Sequence, residues 1–237
     1  MRLKLNLNLE NENLPIQYRK SVISFIKLSL SEYNEEYYKK FYNKRDNIIK
    51  PYTFSVFFKS PQFKEDEIII KDKRIELNIS IADYETSIII YNAFNHQKNK
   101  KFPLNKNSWT LKNINMIMEK EIVDNELDIR FMSPLVVRSR INKKDYYYSF
   151  NDKEFLDTLK MNVKEQLKIT NIPIEIVDNF NIETINAKKV IVKFYEKKIE
   201  TSVGTFKISG DKILLEYLYK AGMGSKHSSG FGMFKII

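Results

Sequence analysis

Lys220-Ala-Gly-Met-Gly-Ser-Lys-His-Ser-Ser-Gly-Phe-Gly-Met-Phe234 gathers glycine in a chain that otherwise avoids it: four of the six glycines fall in the last sixteen of its 237 residues. Glycine tolerates positive φ and lets backbone approach a ligand closely. Successive N–H groups in such a turn can form a nest for an anion, and Ser225, Lys226, His227, Ser228 and Ser229 add side-chain donors. Before the run, Ile213, Leu214, Leu215, Tyr217 and Leu218 read as a helix; after it, residues 231–237 read as a strand. That order excludes a P-loop, which follows a strand, precedes a helix and ends in Gly-Lys-Ser/Thr. A dinucleotide fingerprint fails too, because His227 stands three residues after Gly224 where a glycine is required. Taken alone, the glycines favour a tight turn that returns the last strand to a sheet, a preference that the interleaved Lys, His and Ser residues reduce.

Working outward, residues 126–138 form an expected strand with Pro134 at an edge or bulge, and 151–168 carry helical spacing at Phe155, Leu156, Leu159, Val163 and Leu167. Strands follow over 188–195 and 199–208, then a helix over 211–219 and the closing strand. The order β-α-β-β-α-β is the ferredoxin-like unit, with an insertion of undefined form between Ile172 and Ile185. With one extra helix the first half repeats it: a strand over 3–9, helices over 16–30 and 34–43, and extended segments over 52–58 and 67–81. Asp83 then caps a helix running to Phe94, against the β preference of Ile88, Ile89 and Ile90, and a strand over 109–122 completes the unit. The fold class is therefore α+β: two tandem ferredoxin-like (RRM-like) domains, 1–123 and 124–237, the second carrying the glycine-rich loop 220–232. A single larger α+β domain is the alternative.

Lys and Arg total 40 against 30 acids, a formal net charge of +10, which points to nucleic acid or another anionic surface. Residues 86–118 hold Lys98, Lys100, Lys101, Lys106 and Lys112 with no acid, and residues 131–144 hold Arg138, Arg140, Lys143 and Lys144 with none. Hydrophobic residues at 43% with 13% aromatics support a core, and the lack of cysteine excludes a disulfide framework or thiolate metal site. Arg2-Leu-Lys-Leu-Asn-Leu-Asn-Leu9 alternates as an amphipathic strand and lacks the unbroken apolar run of a signal peptide, so a cytoplasmic protein without a membrane span is expected. No metal-ligand cluster stands out, and no cofactor is implied.

Within this framework, Phe131-Met-Ser-Pro-Leu-Val-Val-Arg138, Gly204-Thr-Phe-Lys-Ile-Ser-Gly210 and Ala221-Gly-Met-Gly-Ser-Lys-His-Ser-Ser-Gly-Phe-Gly-Met233 resemble the Cas6 family of CRISPR repeat-RNA-processing endoribonucleases, in the RAMP superfamily. Leu14-Pro-Ile-Gln-Tyr18 and Lys50-Pro-Tyr-Thr-Phe-Ser55 fit the same family pattern. The resemblance implies metal-independent cleavage of pre-crRNA within its repeats. A ribose 2′-OH attacks the adjacent phosphate and leaves a 2′,3′-cyclic phosphate and a 5′-OH. It also implies retention of the mature crRNA, other Cas proteins of an interference complex as partners, and a monomer or homodimer.

Many members place a histidine at the end of the second helix; here Phe41-Tyr42-Asn43 stands there, with Tyr42 in the histidine place. The resemblance makes Tyr42, Lys50 and Lys27 the catalytic candidates. It gives RNA binding to Gly222, Gly224, Lys226, His227, Ser228, Gly230 and Gly232 of the loop, and charge adds Arg138 and Arg140. Read without it, Tyr42 packs on Tyr38 one turn earlier and the lysines are solvated. His96, at the end of the first domain's last helix, reads as a surface histidine. Tyrosine and lysine, with ordinary pKa values near 10 and 10.4, are not ready bases at neutral pH. A crRNA-binding RAMP subunit with weak or no cleavage is the alternative function. A generic RRM-like protein is a third, but its RNP1 pattern is missing, with Gly230-Phe-Gly-Met-Phe234 the nearest approach.

Overall fold

A computed structural model describes residues 1–42 and 48–237. The chain forms two compact units, Met1–Pro51 with Val56–Met118, and Tyr52–Ser55 with Glu119–Ile237. The last residue of the expected 34–43 helix, Asn43, lies outside the described residues.

In the first unit, β1 (Arg2–Leu9) alternates as expected, burying Leu3, Leu5, Leu7 and Leu9. β2 (Asn13–Pro15), α1 (Tyr18–Tyr33), α2 (Glu35–Tyr42), β3 (Tyr52–Phe58, of which Tyr52–Ser55 fall in the second unit), β4 (Gln62–Phe63), β5 (Glu67–Ile69) and β6 (Arg74–Ile81) follow. α3 (Tyr84–His96), β7 (Lys101–Leu104) and β8 (Asn107–Ile117) complete the unit. The main sheet runs β3-β6-β1-β8-β7, and β2-β5-β4 form a small second sheet. Asp83 caps α3 by accepting from the Thr86 N–H at 2.8 Å. The β-branched run is tolerated because Ile90, Ala93 and Phe94 are buried, and burial outweighs the small intrinsic cost of such residues in a helix. Phe25 of α1 anchors this core, with Phe94, Phe102 and Trp109 rings 5.2 to 5.7 Å away.

In the second unit, β9 (Glu126–Phe131), β10 (Val137–Ile141), β11 (Lys144–Tyr148), α4 (Phe155–Leu167), β12 (Asn181–Phe194), β13 (Lys197–Ser209), α5 (Lys212–Ala221) and β14 (Phe234–Ile236) occur in that order. The sheet runs β12-β13-β9-β14. Counting only each unit's four principal strands, both sheets have the order second, third, first, fourth, with antiparallel pairs, which is the ferredoxin-like arrangement.

Three expectations need correction. The single strand over 126–138 is two strands in different sheets: the chain breaks around Pro134, which cannot donate to a ladder, and β10 pairs instead with β11. The insertion after Ile172 is a 3-10 turn, Ile174–Asn179, followed directly by β12, which begins at Asn181 and not near 188. The closing strand is only Phe234–Ile236, because Phe231–Met233 belong to the packed end of the glycine loop.

Candidate functional site

In the first unit, the three candidate catalytic residues converge. Tyr42 ends α2 and stacks on Tyr38 one turn earlier, ring centroids 5.4 Å apart, as i,i+4 neighbours do. The Lys27 ammonium, from α1, and the Lys50 ammonium each lie 4.9 Å from the Tyr42 ring centroid, within cation–π reach. Lys50 Nζ also donates to the Ile48 carbonyl at 3.1 Å. Burial, then repulsion from Lys27, holds the Lys50 ammonium below the ordinary lysine range. Chemically, the arrangement offers two cations for charge developing on a phosphate, one of which gives up its proton more readily than a free lysine. His96 is not among these contacts; it sits 3.9 Å from Glu32 and beside Lys100.

In the second unit, the glycine loop is held by the protein itself. Gln166 of α4 donates to the Gly222 carbonyl and accepts from the Gly224 N–H, both at 3.0 Å. Met223 N donates to Gly232 O, Ser225 N to Val136 O and Gly232 N to Pro134 O, while Gly230 N and Phe231 N donate to His227 O. The N–H groups expected to form an anion nest are thus engaged inside the protein at these positions. The glycines answer to the same packing. A Cβ on Gly230, at φ +86°, would lie 2.4 Å from the Phe54 ring, and one on Gly232, at φ +67°, would lie 1.9 Å from the Met223 carbonyl. His227 is buried, its Nδ1 donating to the Tyr52 carbonyl at 3.1 Å, which requires the proton on Nδ1. Thr53 Oγ1 fastens the other side by donating to Phe231 O at 2.8 Å. Ser225, Lys226, Ser228 and Ser229 are partly exposed, while Gly222, Gly224, His227, Gly230 and Gly232 are buried.

Beside the loop lies a charge cluster that the sequence reading only half found. Asp145 of β11 accepts from Arg138 Nη1 at 3.3 Å and Lys197 Nζ at 3.1 Å, with Arg140 Nε 4.0 Å away. These contacts hold its carboxyl below the usual range, led by the Lys197 hydrogen bond. The Lys226 ammonium, over the Phe194 ring at 5.5 Å, is pushed below its usual value by burial and then by Arg138, with Asp145 opposing. Asn162 of α4 fixes the Arg138 backbone from both sides, accepting from its N–H at 2.9 Å and donating to its carbonyl at 2.8 Å. Asp145, Lys197 and Asn162 were missed. The only signal was that Asp145 is the first acid after the acid-free stretch, facing Arg140 in the hairpin register. Elsewhere, lysines that stand in acid-free sequence meet acids in space: Lys101 pairs with Glu10 at 2.8 Å and Lys100 with Glu32 at 3.4 Å. Among the described residues, no three His, Asp or Glu side chains gather as a metal-binding group, and no helix is long and apolar enough to cross a membrane.

Two ferredoxin-like units, the second with a packed glycine loop, make up the fold. The chain belongs to the Cas6 family, since the family model for CRISPR associated protein Cas6, C-terminal, matches residues 117–236. It is 28% identical over 196 residues to a CRISPR-associated endoribonuclease-like protein Cas6 of Pyrococcus furiosus, covering 78% of each chain. To the Cas6nc protein of Pyrococcus horikoshii it is 26% identical, covering 71% of this chain and 74% of that one. A solved structure characterising a Cas6-related gene of Pyrococcus furiosus superposes with a TM-score of 0.88 at 25% identity, covering 100% of this chain and 98% of that one. The structure of a RAMP protein binding different RNA substrates gives a TM-score of 0.84 at 23% identity over 100% and 99% of the two chains, a likeness of fold.

Proposed function

We propose that this chain binds CRISPR repeat RNA and cleaves it once per repeat by attack of a ribose 2′-OH on the adjacent phosphate. The observation that carries the proposal is the pair of ammonium groups set 4.9 Å from one aromatic ring, one of them with a lowered pKa. In the reaction the 2′-OH gives up its proton to solvent as its oxygen bonds to phosphorus, the bond from phosphorus to the 5′ oxygen breaks as that oxygen takes a proton, and the products are a 2′,3′-cyclic phosphate and a 5′-OH. Lys27 stabilises the charge on the phosphorane. Lys50 is the proton donor to the leaving 5′ oxygen; a lowered pKa makes lysine a stronger acid near neutral pH. The Tyr42 ring positions both ammonium groups. RNA phosphates meet the partly exposed loop donors Ser225, Lys226 and Ser228, together with Arg138 and Arg140, and the buried glycines and His227 shape that surface from beneath.

The test is single-turnover cleavage of a CRISPR repeat RNA, with and without 2′-deoxyribose on the 5′ side of the scissile phosphate. Cutting of the deoxy substrate would sink the mechanism. One observation favours a second reading, an RNA-binding subunit with feeble cleavage: α2 ends in Tyr42 and not in a histidine, and His96 pairs with Glu32 and Lys100. Tight repeat binding without any cleavage at saturating enzyme would select it.

A further inference from the structure

We infer that Arg138, Arg140, Lys197 and Lys226 form a seat for one backbone phosphate of RNA, assembled by Asp145 as a positioning residue. The inference rests on the RNA-binding reading above and adds to it Lys197, Asp145 and the convergence on a single phosphate.

Three separate segments deliver the cations: Arg138 and Arg140 from β10, Lys197 from the start of β13, and Lys226 from the glycine loop. They face one acid, whose side chain is 14% exposed. Four cations around one carboxylate leave the cluster positive, and the contacts made by Asp145 leave most of the donors unspent. The Arg138 ion pair is made through Nη1, out of the guanidinium's five N–H groups, and Lys197 has three ammonium protons for its one Asp145 bond. Donors converging from different elements suit the several oxygens of a phosphate.

Lys226 brings the fourth cation from the glycine loop. Its left-handed backbone, φ +60°, is shared by Lys73, Lys106 and Lys143 and does not single it out, but its partly buried ammonium lies over the Phe194 ring and is repelled by Arg138. A phosphate arriving at the cluster relieves that repulsion.

Asp145 supplies a test of sign. If overall charge governed binding, removing an acid from a surface that binds a polyanion would tighten it. If Asp145 gathers mutually repelling cations, its removal lets them separate and weakens binding. The probe is a labelled single-stranded RNA carrying the CRISPR repeat of the source genome, titrated at several salt concentrations. Lys197→Ala is expected to weaken binding about tenfold and to lower the salt slope by about one. Lys198→Ala removes the same charge from the adjacent residue, on the opposite face of the ribbon, and is expected to change affinity less than about twofold. Asp145→Asn is expected to weaken binding and make the salt slope shallower, whereas Asp128→Asn, an acid on β9, tightens it slightly or leaves it unchanged. Lys226→Gly keeps the backbone conformation, so it is expected to melt no lower than the parent and still bind less tightly. Equal effects of Lys197→Ala and Lys198→Ala, tighter binding by Asp145→Asn, or parental binding by Lys226→Gly would overturn the seat and leave the RNA-binding reading standing. Failure of the parent protein to bind the repeat at low salt would overturn both.

Discussion

Replacing Tyr42 by Phe and by Leu separates the work of its ring from that of its hydroxyl. Both ammonium groups lie 4.9 Å from the ring centroid. A cation–π contact contributes roughly 0.5–1 kcal/mol when exposed and about 2 kcal/mol when desolvated. Lys50 is shielded enough for burial to lower its pKa, so the two contacts together hold the ammonium groups by about 1–3 kcal/mol. At about 1.4 kcal/mol per factor of ten, Tyr42→Leu slows single-turnover cleavage at saturating enzyme by about ten- to a hundredfold. Phenylalanine keeps both the ring face and the stack on Tyr38, so Tyr42→Phe stays within about threefold of the parent.

The pH profile supplies a second readout of the same idea. The ring face favours the charged form of Lys50, so losing it lowers that ammonium's pKa further. The rate in Tyr42→Leu then begins its alkaline fall at a lower pH than in the parent, while Tyr42→Phe keeps the parental limb. Equal losses in the Phe and Leu variants would refute the ring's role and put the hydroxyl into the reaction.

Lys50→Met is expected to stabilise the protein while abolishing rapid cleavage. The folded state holds the Lys50 proton less tightly than the unfolded chain, so the charged form destabilises below the lowered folded pKa, and stability rises with pH between that value and about 10.4. The Met variant should therefore melt higher at neutral pH and lack that rise, as thermal melts across pH will report. Cleavage by the parent is expected to persist in excess EDTA and to vanish on the 2′-deoxy substrate; an absolute need for Mg²⁺ contradicts the proposed chemistry. Gly232→Ala combines a left-handed backbone penalty of about 1–2 kcal/mol with overpacking of about 1–3 kcal/mol against the Met223 carbonyl. At about 2–4 °C per kcal/mol its melting temperature falls by roughly 5–20 °C, and a parental melting curve would contradict the packing account of the loop.

The fold was legible in the sequence wherever periodicity and capping agreed. The leucine alternation of β1, Asp83 before α3, Asp211 before α5 and the apolar spacing of α4 each mark an element that is present. Sheet membership was not legible where strand runs straight on into strand. Residues 126–138 look like one strand with Pro134 at a bulge, but the chain leaves the sheet at that proline and its partner changes from β13 to β11. The β7 strand, four residues with a proline, is too short to carry a period of two against its lysine-rich surroundings.

The candidate site was legible to the extent that its residues are near neighbours or match a family pattern. Tyr38 and Tyr42 are one helical turn apart, so their stacking follows from spacing; the approach of Lys27 and Lys50 to the same ring needs the fold. Both readings of Tyr42 hold together, because a ring that packs on Tyr38 is also a ring that can seat cations. For the loop, glycine content suggested backbone donors open to an anion, yet in space the N–H groups of Met223, Gly224, Ser225, Gly230 and Gly232 satisfy the protein's own oxygens, as buried N–H groups must. On the proposed reading the loop meets RNA with its partly exposed side chains, Lys226 among them. Asp145 was the least visible residue because its partner Lys197 lies 52 positions away, on a hairpin of its own. A carboxylate inside a cationic surface looks in sequence like a loss of charge. In three dimensions it can instead keep four cations within reach of one phosphate, and the sign of the Asp145→Asn effect on RNA affinity distinguishes the two.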